Sequence, residues 1–300
     1  MYRFSLRQLE YLIACIDYGS TANAAGALNV SQPTISNAIA KLENQLGVQL
    51  LRRHHSQGVT ATANAEKILH SARALLTYAT DLQSEIVTEG DSISGELKLG
   101  SFSTLASSIL PRLVHAFSTN FPEIQLEIQE GTQVKLLAGL DSGELELALL
   151  YDLDLPNYIE KTKLMELTPH VVLPKKHRLS TQADIDIVEL ANEPFILLDV
   201  PPSREYFLGL FKEAGLSPKV VHSSPSLELV RGLVGYGLGF SLLVTRPVSD
   251  LTYDGQQLVI RPLRSNLNNS SIILARHKDL RPTKLMKHFN DLAQEVLGAT

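Results

Sequence analysis

The sequence predicts a mixed α/β chain in three parts: a helical head with a β wing, a long linker helix, and a two-lobed α/β domain. Three observations predict it. Residues 1–62 hold three short helical periods and then a polar hairpin. Residues 63–90 carry an apolar three-four repeat, and from residue 96 short strands alternate with helices. A chain of 300 residues has room for two or three domains, and 44% hydrophobic residues exclude a mainly disordered one.

The first helix spans 5–17, with Leu6, Leu9, Leu12, Ile13 and Ile16 at helical spacing and Gly19 as its stop. Cys15, the chain's one cysteine, lies in that apolar run and reads as a small core residue. No intramolecular disulfide or dithiol switch can form, which suits a reducing compartment. Ser20 or Thr21 caps a second helix through Ala24, Ala25 and Leu28, and Asn29-Val30 makes the turn. Ser31 caps a third helix that runs to about Leu46 and stops at Gly47, with Pro33 tolerated in its first turn. Residues 20–46 thus form a helix-turn-helix.

On a wheel of the third helix, Ile35, Ile39, Leu42 and Leu46 form the buried stripe. Pro33, Asn37, Ala40, Lys41 and Asn44 point outward, flanked by Thr34 and Ser36. A short polar face with one cation suits the major groove of double-stranded DNA; the alternative is a merely solvated face. The hairpin Leu50–Thr60 favours the first reading. It reads as a wing whose Arg52 and Arg53 lie beside phosphates, with Arg53 as the backbone contact. The charge distribution agrees. The chain is −5 overall, but residues 1–62 hold five cations against three carboxylates, +2, leaving −7 for the rest. An excess so small binds weakly in one copy.

In the linker helix, Ala65, Ile68, Ala72, Leu75, Ala79, Leu82 and Ile86 alternate by three and four over roughly 35–40 Å. The stripe must be covered, by the chain itself or by a second copy. The regular spacing and the weak head favour a homodimer. Asp91-Ser92-Ile93-Ser94-Gly95 reads as a hinge.

Beyond it, strands are predicted at 96–100, 125–130, 144–151, 170–173, 195–199, 219–222, 239–243 and 271–275. Helices are predicted at 104–118, 132–140, 185–191, 203–214, 226–236 and 282–297. The last strand and helix return to the first block, so two crossovers join two lobes around a cleft. The domains are therefore 1–62, 63–92 and 93–300, with lobe I at about 93–165 and 266–300 and lobe II at about 166–265.

Leu6-Arg7-Gln8-Leu9-Glu10-Tyr11-Leu12, Gly19-Ser20-Thr21-Ala22-Asn23-Ala24-Ala25, Leu28 through Ser36, and Lys41 through Leu51 together resemble the LysR-type transcriptional regulators. Leu173-Pro174-Lys175-Lys176-His177 and Leu233 through Gly239 resemble that family's weaker effector-domain signatures. The resemblance covers the whole chain. It implies a winged helix-turn-helix, a dimerising linker helix, an effector domain of the periplasmic-binding-protein type, and homotetramers. It also implies base reading through Gln32, Pro33, Thr34, Ser36 and Asn37, and a backbone contact through Arg53. Asn37 stands where the family usually has arginine, which shifts base preference from guanine toward adenine. Thr62-Ala63-Asn64-Ala65 lacks the family's glycine after the wing.

Four segments offer free N–H groups to an anion at the cleft. Ser101, Ser103 and Thr104 precede one helix, and Thr132 and Gln133 another. Ser203 and Arg204 open a third, and Ser224 follows a strand in the same lobe. The resemblance places the inducer at these positions; plain helix capping is the alternative for each hydroxyl. With Arg204 they suggest a small polar ligand, a carboxylate. Arg204 is out of place at a helix N-terminus, which favours a ligand role.

The nine histidines show no metal-ligand spacing, and neither a nucleophile elbow nor a phosphate loop occurs, so no catalytic residue, metal or cofactor is expected. Gly235-Tyr236-Gly237-Leu238-Gly239 follows a helix and precedes a strand, so it reads as a turn. A solute receptor on the same two-lobed fold would need an export signal and would not need residues 20–60, and for an enzyme on that fold no nucleophile and base pair stands out. No export signal or apolar run long enough for a membrane span is present, so the chain is expected in the cytoplasm, away from membranes.

Overall fold

The computed structural model describes residues 4–54, 58–87, 94–264 and 270–298. The wing tip His55-Ser56-Gln57, the side chain of Ile86, and Asp91-Ser92-Ile93 of the expected hinge lie outside the described residues.

Helix α1 (Leu6–Asp17) starts at a capping box in which Ser5 and Gln8 satisfy each other's backbone N–H. Ser20 caps α2 (Thr21–Ala27), and Asn29 takes the left-handed conformation the turn requires. Ser31 accepts from the Thr34 N–H to start α3 (Gln32–Leu46), and Gly47 ends it at φ 72°. Ile35, Ile39 and Leu42 are fully buried as expected, but Leu46 is 37% exposed. Leu50 and Leu51 enter the core instead, because Glu43 Oε1 accepts from both of their N–H groups, at 2.8 and 3.1 Å. The wing follows as β1 (Leu51–His54) antiparallel to β2 (Gly58–Ala61).

Thr62 caps the linker helix α4 (Ala63–Val87), accepting from Ala65 N–H and donating to the Gln49 carbonyl. The predicted stripe on α4 divides. Ala65 and Ala72 are buried with Leu69 in the head's own core, with Ile68 packed against it. Leu75 and Leu82 remain 43% and 59% exposed. The expectation that the whole stripe faces a second copy is therefore corrected. The first turns of α4 pack against its own head, while Leu75 and Leu82 further along stay outside.

The first sheet of the remaining domain contains β3 (Gly95–Phe102), β4 (Ile124–Gly131), β5 (Leu147–Tyr151), β6 (Ile159–Leu167) and the late strand β13 (Ser270–His277), in the order β4-β3-β5-β13-β6. Strands β4, β3 and β5 are parallel, and β13 runs antiparallel to β5 and β6. One helix was expected over 104–118, but two form, α5 (Ser103–Ala106) and α6 (Leu110–Asn120). Pro111 sits in the first turn of α6, and an unbroken helix would drive its ring into the carbonyl four residues back. Helix α7 (Gln133–Ser142) is capped by Thr132.

The second sheet has the order β11-β7-β12-β8, from β7 (His170–Pro174), β8 (Ile185–Asp186), β11 (Ser241–Leu243) and β12 (Leu258–Arg264). A parallel pair, β9 (Pro194–Leu198) and β10 (Lys219–Ser224), joins it through the Ile196 N–H to Phe240 carbonyl bond at 2.8 Å. Helices α8 (Ser203–Glu213) and α9 (Leu227–Gly235) complete it, and α10 (Lys284–Gly298) returns to pack on the first lobe. The helix expected over 185–191 is instead β8 and a short 3-10 turn, Ile187–Leu190, capped by Asp186. Two further strands were not expected. β6 is an edge strand that mixes charged and apolar residues without alternation, and β12 contains Pro262. The chain passes between sheets from β6 to β7 and from β12 to β13.

Candidate nucleic-acid interface and interlobe site

The outward face of α3 presents Gln32, Pro33, Thr34, Asn37 and Lys41 as exposed residues, with Ser36 half-buried. Gln32 Nε2 donates to Thr21 Oγ1 at 3.2 Å, and Thr34 Oγ1 lies 2.8 Å from Ser31 Oγ. Gln32, Ser36 and Arg53 line one surface hollow, together with Ser20, Thr21 and Gly58. The wing is held there by the Val59 N–H, which donates to the Gly19 carbonyl at 2.7 Å. Gly58 makes that approach possible, since a Cβ there would stand 2.1 Å from Gly19 O.

Arg52 and Arg53 are both exposed on β1 but project to opposite faces of the ribbon. Only Arg53 joins the hollow. Lys41 lies apart from it, in a second hollow shared with Arg7 and Tyr11. Arg7 Nε donates to Tyr11 Oη at 2.8 Å, and its guanidinium stands 5.7 Å from that ring's centre. Arg7 was not singled out from sequence, although its spacing of four from Tyr11 was a readable signal.

The interlobe residues fall into two groups. On the first lobe they gather at the C-terminal ends of the parallel strands, where α/β folds receive ligands. Ser101 is fully buried and its hydroxyl donates to the Phe102 carbonyl at 3.4 Å. Ser103 donates to the Gly131 carbonyl at 3.3 Å. Thr104 Oγ1 is 2.7 Å from Tyr151 Oη. Thr132 accepts from Lys135 N–H, and Gln133 Nε2 donates to the Leu153 carbonyl at 2.5 Å.

On the second lobe, Ser203 is buried at the start of α8 and Ser224 ends β10 rather than following it. Ser224 Oγ accepts from Ser226 N–H at 3.1 Å. Arg204 Nη1 is 2.8 Å from Asp199 Oδ1. That guanidinium holds the Asp199 carboxyl below its ordinary range, with a smaller contribution from Ser223. Asp199, not singled out from sequence, thus supplies the local anion that lets a cation open α8. The Tyr151 hydroxyl, also missed, hydrogen-bonds both Thr104 of the first lobe and Thr245 beyond β11 of the second. Burial pushes this phenol up to about 12, so it stays protonated.

Among the described residues no three histidine, cysteine or carboxylate side chains converge as a metal site, and no helix is long and apolar enough to cross a membrane.

Comparison with known proteins gives two family matches: residues 6–66 match the bacterial regulatory helix-turn-helix protein, lysR family, and residues 90–298 match the LysR substrate binding domain. The DNA-binding transcriptional dual regulator OxyR of Escherichia coli K12 is 30% identical over 240 residues, 80% of this chain and 78% of that one. A putative LysR family regulator of Pseudomonas aeruginosa, in its crystal structure, is 41% identical with a TM-score of 0.68, covering 99% of this chain and 100% of its own. Full-length OxyR C199D of Pseudomonas aeruginosa, 22% identical, shares the fold with a TM-score of 0.78 over 98% and 97% of the two chains. The chain therefore belongs to the LysR family, as a DNA-binding transcriptional regulator with an effector-binding domain, and is not an enzyme.

Proposed function

We propose that this regulator reads double-stranded DNA through α3 and the wing and is switched by a small polar carboxylate held between its lobes. Gln32, Pro33, Thr34, Ser36 and Asn37 meet base edges, while Lys41, Arg52 and Arg53 meet phosphates. Ser101, Ser103, Thr104, Thr132, Gln133, Ser203, Arg204 and Ser224 line the effector site. Two heads pair through α4 and two such dimers form a homotetramer in the cytoplasm. Residues 1–62 act as the DNA-binding unit, 63–92 as the linker and 93–300 as the effector domain.

The observation that carries the DNA reading is the shared hollow of Gln32, Ser36 and Arg53, which puts a phosphate-seeking cation beside base-reading side chains. The carboxylate reading is supported by the α7 N-terminus and by Arg204, which would share its charge between Asp199 and the ligand, both among the interlobe residues. Several relatives are named hydrogen peroxide-inducible genes activators. A peroxide response through an intramolecular disulfide would need a second thiol. This chain has Cys15 alone, buried in α1, and burial pushes its thiol up to about 11.

The test is a gel shift with DNA from upstream of the chain's own gene. Wild-type protein retards it at low salt, and Arg53→Ala weakens binding to all sequences alike. Arg204→Ala retains DNA binding and loses the response to organic acids. No retardation at low salt overturns the reading.

A further inference from the structure

Gln133 begins α7 and is only 4% exposed. Its Nε2 donates to the Leu153 carbonyl at 2.5 Å. Only the amide nitrogen can donate to a carbonyl, so this bond orients the group and leaves Oε1 as the free end. That oxygen is buried and has no hydrogen-bond partner among the described residues. Buried acceptors are seldom left so, because each costs the desolvation it does not recover.

No nearby hydroxyl reaches that oxygen. Ser103 donates to the Gly131 carbonyl, Thr104 pairs with Tyr151, and Thr132 accepts from the Lys135 N–H as the cap of α7. The acceptor is thus unmatched at the strand ends where the ligand is received.

We propose that Gln133 is a specificity-determining residue whose Oε1 accepts a hydrogen bond from an O–H or N–H group of the effector. The inference rests on the interlobe reading above and narrows it. The ligand is a hydroxy or amino carboxylate, not an unsubstituted or oxo acid. The second lobe suits such a ligand, since its Arg204–Asp199 pair offers a cation for the carboxylate and a second acceptor for the donor.

The test uses the full chain and matched sets of short-chain monocarboxylates: unsubstituted, oxo, hydroxy and amino forms of the same skeleton. Thermal shift and titration calorimetry read binding. Hydroxy or amino members are expected to bind at least about tenfold tighter than their donor-free counterparts. Gln133→Met is expected to erase that preference in a chain that still folds, its ligand-free unfolding midpoint lowered only by loss of the bond to the Leu153 carbonyl; Gln133→Ala serves if the longer side chain disturbs α7. Equal binding of donor-free and donor-bearing members by wild-type protein overturns the inference and leaves the interlobe carboxylate reading standing. A preference that survives both substitutions overturns it too. If no member of any set stabilises the chain, the carboxylate reading fails and the inference with it.

Discussion

The imidazole rings of His70 on α4 and His277 at the end of β13 stand 4.1 Å apart, centre to centre. They join the linker helix to the first lobe. Both ring nitrogens of His70 are buried without a hydrogen-bond partner among the described residues. Tyr158 stacks on His277, Asp141 of α7 lies 3.8 Å from its Nε2, and Lys278 and Asp279 flank it. Burial, and then the neighbouring His70, push His277 below its ordinary value of 6.5. Well above 6.5 both folded and unfolded chains hold this ring neutral, and it contributes nothing to pH dependence. As pH falls through 6.5 the unfolded chain takes a proton that the folded chain resists, so stability is lost. The expected outcome is that the unfolding midpoint falls between about pH 8 and about pH 5, and that His277→Phe makes the fall shallower. Chemical denaturation at several pH values checks it, and an unchanged slope in the variant excludes the junction as the cause.

His170 makes a second, larger contribution. It starts β7 where the chain enters the second lobe, and its Nε2 is buried without a partner among the described residues. Burial, with Arg246 nearby, lowers it to about 4. The same sign applies: the loss begins as pH drops through 6.5 and levels off below about 4. A gap of that size corresponds to about 3 kcal/mol at most. Separate fluorescence probes on the two lobes would locate the effect. The expected result is that His170→Leu removes the acid loss mainly from the second lobe.

The wing makes a steric prediction. Gly58 has φ 89° and no room for a Cβ against the Gly19 carbonyl. Gly58→Ala therefore breaks the Val59–Gly19 hydrogen bond and moves Arg53 away from Gln32. Expected are a destabilisation of about 1–3 kcal/mol and a larger loss of DNA affinity than of helix content. Circular dichroism and gel shift on the same preparation check it.

The head was legible because its signals are local. Ser31, Pro33 and Gly47 delimit the fifteen residues of α3, and Ile35, Ile39 and Leu42 declare the buried face by spacing alone. The partners in the effector domain were not legible. Thr104 meets Tyr151 only because β3 and β5 are neighbours in one sheet, and His70 meets His277 only through the packing of separate elements. Arg204 pairs with Asp199 across a proline pair, a spacing that fits neither helix nor strand. β6 and β12 escaped notice because one is a charged edge and the other carries Pro262. Gln133 could be named from its place beside a capping threonine, but its unmatched oxygen depends on where the Leu153 carbonyl lies.

The two rows of α4 separate folding from assembly. Leu75 is exposed, so Leu75→Asp leaves the single chain within about 0.5 kcal/mol of wild type. If the exposed row of Leu75 and Leu82 pairs two copies, the same change sets carboxylates against each other across the seam and splits the dimer. Ala72 is buried in the head's core, so Ala72→Asp buries an unpaired charge and costs several kcal/mol. Sedimentation equilibrium and thermal melts tell the two apart. Leu75→Asp is expected to sediment as a folded single chain and to bind DNA far more weakly, because one head with its small positive excess must then hold alone. A Leu75→Asp protein that remains dimeric would move the pairing surface off α4.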